Sequence, residues 1–212
     1  MDATIKLLII AHVALGGIAL LTGLLSIIAY KGKNLHKKSG KFFVYTMISS
    51  GLIAMVIALL PKHESPFLFS IGIFSTYLTL TGYRALRFKR QNISLRIDIT
   101  MAWLMVVTGF LMIILPTILT LKFNIVLGVF GILGISLAIQ DLKLFSKPKR
   151  LRKGWLKLHI GKIMGGYISA VTAFIVVNQF IPGIYGWLVP TLIGSVFIAY
   201  WMRRVRLGKV IN

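Results

Sequence analysis

The chain has 212 residues, 57% of them hydrophobic and 14% charged, and carries 25 Lys and Arg against 4 Asp and Glu, for a formal charge of +21. It has no Cys, which excludes disulfides, thiolate metal sites and Cys nucleophiles. Its apolar runs are of membrane length and leave little chain for a soluble domain, so the charge points to anionic inner-leaflet lipid and not to nucleic acid.

In chain order, the first apolar run is Leu7–Ala29. The residues before it lack a basic n-region and the run exceeds a signal-peptide core, so it is expected to be a retained span. Basic stretch Lys31–Lys41 follows, then a second run, Phe42–Leu60. Pro61 and Pro66 bracket a turn over Lys62–Ser65, ending one helix and starting the next. The third run, Phe67–Gly82, leads to basic stretch Arg84–Arg96 and a fourth run, Ile99–Leu119, in which Pro116 is expected to kink or end the helix. Lys122-Phe123-Asn124 predicts a tight turn into a fifth run, Ile125–Ile139. Basic stretch Lys143–Lys157 precedes a sixth run, Ile160–Ile181, ended by Pro182 and Gly183. The seventh, Leu188–Met202, has Pro190 in its first turns, where a missing N–H costs least, and a basic tail, Arg203–Lys209.

Each run is long enough, or nearly so, to cross roughly 30 Å of hydrocarbon at about 1.5 Å per residue. Basic and neutral connections alternate, and of the 25 Lys and Arg only Lys6, Lys62 and Lys122 fall on the neutral side. The expected fold is all-α: a polytopic membrane protein with seven transmembrane helices, residues 1–212 forming a single domain in a bacterial cytoplasmic membrane. The positive-inside rule puts the N-terminus out and the C-terminus in.

The halves share short patterns. His12 to Gly16, with Ser26 beyond, matches Asn124 to Gly128, with Ser136 beyond; each is followed by a basic loop and then Leu35-His36 or Leu158-His159. This predicts a 3+1+3 parallel repeat, residues 5–84 and 123–203 about a connector span at 97–120, with a pseudo-two-fold axis along the membrane normal.

Four His and four acids are the candidates for chemistry. His36 and His159 each follow a Leu, each opens a span on the basic side, and each has Gly within the next turns. Two imidazoles at one depth can ligate one iron from opposite sides, as in b-type cytochromes. The expected cofactor site is therefore His36 and His159 around a haem b or a metal ion. Gly40, at i+4 from His36, leaves room on that face for a flat macrocycle, and Lys37, Lys38, Lys41 and Lys162 are the expected partners of haem propionates. The same pattern also suits head-group histidines beside small residues that let helices pack closely.

His12 lies in the outer half of the first span, followed by Gly16 and Gly17. An ionisable group at that depth is costly. It is a further cofactor-binding candidate, a proton relay, or a neutral ring bonded to a carbonyl of another helix. His63, beside Glu64 in a turn, reads as exposed. Asp98 and Asp141 are the inner acids. Each can orient a metal-bound imidazole, cap a helix, or pair with nearby Arg96 or Lys. No P-loop, G-x-S-x-G, H-E-x-x-H or dinucleotide fingerprint occurs, so no catalytic residue is named.

At His12–Gly16, at Leu35-His36-Lys37-Lys38-Ser39-Gly40-Lys41 and from Leu158-His159 to Gly165-Gly166-Tyr167, the chain resembles an uncharacterised family of bacterial predicted multi-span membrane proteins. Those proteins carry a His in the first span, a His-basic-x-x-Gly start to the second and a late His. The resemblance covers most of the chain and implies an integral membrane protein, with no reaction attached. The expected function is a haem- or metal-binding membrane protein in electron transfer. The alternatives are a small-solute transporter with a cavity between the two triplets and a non-catalytic accessory subunit; a homo-oligomer is compatible with each.

Overall fold

The computed structural model describes residues 3–209. They form seven helices: α1 (Ala3–Ile28), α2 (Asn34–Ile57), α3 (Pro66–Arg84), α4 (Arg96–Thr120), α5 (Ile125–Phe145), α6 (Pro148–Val177) and α7 (Tyr185–Arg206). A single 3-10 turn, Ala85–Arg87, extends α3. No strand occurs among the described residues.

Local chemistry explains several boundaries. The Ser65 hydroxyl accepts from the Leu68 N–H at 3.2 Å, with Pro66 at the first helical position, so α3 starts capped. The Asn124 side chain does the same for α5 through the Leu127 N–H at 3.1 Å. α4 ends in a left-handed residue, Leu121 (φ 52°). Pro116 does not end α4, which continues through Thr120. The basic stretch before the sixth run is not a loop either: α6 begins at Pro148 and is 30 residues long. At about 1.5 Å per residue that is about 45 Å, some 15 Å more than a hydrocarbon core. Its first ten or so residues, rich in Lys and Arg, extend beyond the apolar zone. The apolar run marks the stretch of this helix apolar enough to cross a membrane, not where the helix starts.

Six of the helices are long and apolar enough to cross a membrane: α1, α2, α4, α5, α6 and α7. The seventh, α3, is not among them, so apolarity and length account for six of the seven expected spans. The reason is position. α3 packs against α2, α4, α5 and α6, and ten of its 19 residues are buried, among them Ser75, Thr76, Tyr77, Thr79 and Thr81. A helix shielded from lipid by its neighbours need not be apolar itself. Conversely, α1 exposes Leu7, Val13, Leu21 and Ile28, and α7 exposes Leu192, Ile193 and Val196, as lipid-facing surfaces do.

Close crossings rest on missing side chains, as is usual between membrane helices. A Cβ on Gly82 of α3 would lie 2.8 Å from the Ile163 nitrogen of α6, and one on Gly131 of α5 would lie 2.7 Å from the Gly109 carbonyl oxygen of α4. The larger apolar core lies around α3, with Phe74, Tyr77, Met105 and Leu127 buried; a smaller one joins α1 and α2 through Ala19, Phe43, Val44 and Met47. Contacts such as Ser26–His36, Arg84–Asp98 and Ser75–Ser169 set neighbouring helices antiparallel. All three basic connections and the C-terminal end of α7 thereby fall at one end of the bundle, here the basic end.

The two triplets do not pack alike. α1 and α2 lie along each other extensively, whereas α5 packs chiefly on α4 and only lightly on α6. A two-fold relating the triplets would map the α3–α6 contact onto one between α7 and α2, and those backbones do not meet. The helix contacts lend the expected 3+1+3 repeat no support.

Candidate functional site

A different internal duplication does organise the basic end. α1 carries His12, Gly16 and Ser26; α2 carries His36, Gly40 and Ser50. Both read His-x3-Gly-x9-Ser, and in an antiparallel pair each Ser meets the other helix's His. The His36 ring shares its Nδ1–H between the Ser26 main-chain oxygen (2.9 Å) and Oγ (3.1 Å), and the Ser26 hydroxyl donates to the His36 carbonyl (3.2 Å). The His12 ring repeats this with Ser50, at 3.0, 2.9 and 3.0 Å.

The glycines make room for these serines. A Cβ on Gly40 would stand 3.1 Å from Ser26 Oγ, and one on Gly16 3.3 Å from Ser50 Oγ. Gly40 therefore admits the serine that holds His36, and it also lines the cavity described below. The offset of 24 residues between the two patterns is the sequence signal that the half-to-half comparison missed.

His159 is held differently. Its Nδ1 lies 2.9 Å from the Gly82 carbonyl oxygen. Ser26 in α1 and Gly82 in α3 both sit two residues before their helix's last, so their carbonyls belong to the unpaired set that closes every helix. Both basic-end imidazoles thus cap a helix C-terminus. A carbonyl only accepts, so each Nδ1 carries the proton, and in the neutral ring Nε2 keeps its lone pair. Capping accounts for Nδ1; it leaves Nε2 free in both rings.

The two rings line one cavity of about 650 Å³ at the basic end, walled by α1, α2, the end of α3, α6 and α7. Volumes of roughly 300–1,000 Å³ are usual for small-molecule sites. His159 precedes the end of α6 by 18 residues and His36 precedes the end of α2 by 21, about 27 and 32 Å along two helices that both run away from the basic end. Lys31, Lys37, Lys38, Lys41 and Lys89 reach the cavity wall, with Tyr83, Trp155, Tyr167 and Trp201. Lys31 stands over the Trp201 ring at 4.9 Å and Lys89 over Trp155 at 5.5 Å. Lys31 also caps α1, donating to the Ser26, Ile27 and Ala29 carbonyls. Burial lowers its pKa from the ordinary lysine value. The Trp201 indole N–H is buried without a hydrogen-bond acceptor.

The other expected residues lie elsewhere. Asp98 is gripped by Arg84 in a two-pronged ion pair, both contacts 2.7 Å. Asp141 receives the Lys162 ammonium at 2.5 Å and the Tyr77 hydroxyl at 2.5 Å. The groups orienting His36 and His159 are backbone carbonyls, not these carboxylates. Lys162, buried in that ion pair, is likewise taken from the expected propionate partners, while Lys37, Lys38 and Lys41 remain at the cavity. His12 does not line the cavity.

Among the described residues no three His, Cys, Asp or Glu side chains come together to hold a metal ion. A bare ion would find two imidazoles where structural and catalytic zinc sites use three or four protein ligands. A porphyrin supplies four nitrogens of its own and asks the protein for no more than two axial ones. No protein-family model, no curated protein and no solved structure matches this chain.

Proposed function

We propose that the protein spans a bacterial cytoplasmic membrane seven times, basic end in the cytoplasm, and binds one haem b in the basic-end cavity with His36 and His159 as axial ligands, for electron transfer. The observation that carries this reading is the shared cavity. Two imidazoles from different helices, α2 and α6, line it, each with Nδ1 tied to a carbonyl and Nε2 free. Haem in such a site supplies a one-electron couple whose potential the axial ligands, their hydrogen bonds and burial would set.

The chain's own groups suit a flat, apolar dianion. Lys37, Lys38 and Lys41 supply cations for carboxylates, Tyr83 and Tyr167 supply apolar wall, and Trp201 offers an N–H that lacks an acceptor. The Ser26 and Gly82 carbonyls hold the rings in one tautomer and raise the basicity of the free nitrogens. For the seventh crossing, the support is that α3 is shielded by four neighbours and antiparallel to α2, α4 and α6. For orientation, it is the gathering of cations at one end.

Titrating purified haem-free protein with ferric haem tests the proposal. A saturable shift of the Soret band at one haem per chain is expected, lost in H36A and in H159A and kept in H12A. No shift, or shifts unaffected by both inner substitutions, would overturn it. The solute-carrier reading uses the same cavity, between α1/α2 and α6/α7. It predicts a haem-free protein that moves a solute across vesicles.

A further inference from the structure

A second cavity, of about 770 Å³, lies on the far side of α6, between α5, α6 and α7. It exists because α5 leans on α4 and the backbones of α5 and α7 stay apart. Toward the opposite end the two helices are bridged by the edge-on rings of Phe130 and Trp187, centroids 6.0 Å apart. The groove therefore opens sideways, toward lipid.

Its walls change character along their length. At the basic end four cations line it: Lys143 and Lys147 around the close of α5, Arg150 and Lys157 on α6. All four are exposed. The one acid in the wall, Asp141, is neutralised by Lys162, so the mouth is cationic. The start of α6 has no side-chain cap, and free N–H groups at a helix N-terminus favour phosphate. Beyond the mouth the wall is apolar, with Val129, Leu133 and Leu188 half exposed into it. From Lys143 to Val129 is 14 residues of helix, about 21 Å, enough for the acyl chains of one leaflet, about 15 Å thick.

We propose that this groove is a dedicated site for one anionic two-chain phospholipid, its phosphate on Lys143, Lys147, Arg150 and Lys157 and its chains along Val129, Leu133 and Leu188. This is a stoichiometric site, distinct from a general attraction of basic loops to the leaflet, and independent of the haem cavity across α6.

Native mass spectrometry of protein exchanged into detergent with phosphatidylglycerol, phosphatidylcholine or inorganic phosphate tests it. One phosphatidylglycerol per chain is expected to stay bound, at least tenfold more than phosphatidylcholine, and inorganic phosphate should not compete. The fourfold variant K143Q/K147Q/R150Q/K157Q changes only exposed positions and should lose that preference. L133W, which leaves every charge in place and fills the groove, should lose the lipid altogether. Equal retention of both lipids, competition by inorganic phosphate alone, or retention unchanged in L133W would each overturn the proposal. Matched helical circular dichroism of the variants separates lipid loss from unfolding.

Discussion

Ser50 holds His12 with the same three contacts by which Ser26 holds His36, because α1 and α2 carry one pattern and run antiparallel. The clasp is mechanically symmetric, but only its basic-end half reaches a cavity. S26A and S50A should each lower stability by about 1 kcal/mol, the usual worth of such a bond, seen as similar drops in melting temperature in detergent. Only S26A should also weaken haem retention. Equal haem affinity in the two variants would detach the clasp from the site.

Glycine substitutions should split by sign. G131A pushes a methyl to 2.7 Å from the Gly109 carbonyl oxygen, a backbone atom that cannot turn aside. Overpacking of this kind costs about 1–3 kcal/mol. Gly154, in the basic first turns of α6, has nothing within 4 Å of an added Cβ, so G154A should gain up to about 1 kcal/mol from helix propensity. Thermal unfolding of the two variants checks both.

The buried pair Lys162–Asp141, with Tyr77 completing it, should behave as a unit. D141N or K162M alone leaves an unbalanced buried group and should cost about 3–5 kcal/mol, while D141L/K162M should cost much less than the two combined. A double-mutant cycle on thermal stability reads the difference. Additive losses would mean that the two side chains do not depend on each other.

Topology has a direct check. Reporter fusions after Asn212 and within residues 143–157 should both report cytoplasm, and one in Lys62–Ser65 should report the outside. Any reversal removes the assignment of His36 and His159 to the inner leaflet.

Much of this bundle is legible in the sequence, because lipid imposes long apolar runs and charge marks their ends. The runs located all seven helices, and Leu35-His36 and Leu158-His159 pointed to two rings that share a cavity. What stayed hidden depends on neighbours. Lys162 reads as a surface cation until α3 and α5 bring Tyr77 and Asp141 against it. Asp98 reads as an ion-pair acid with Arg96 or a Lys nearby, or as a partner for histidine; which cation holds it is hidden until the end of α3 brings Arg84 within 2.7 Å. The carbonyls that do hold the histidines are backbone atoms and leave no trace in residue identity. The polarity of α3 follows from its central place, which its own residues do not announce. The Ser–His clasp was readable as a 24-residue offset.

The most direct test of the central claim is low-temperature electron paramagnetic resonance of the protein loaded with ferric haem. Axial imidazoles from both His36 and His159 predict a low-spin ferric signal in the native protein, replaced by a high-spin signal or lost in H36A and in H159A, and unchanged in H12A. A high-spin signal in the native protein, or a low-spin signal that survives both inner substitutions, would contradict ligation by this pair.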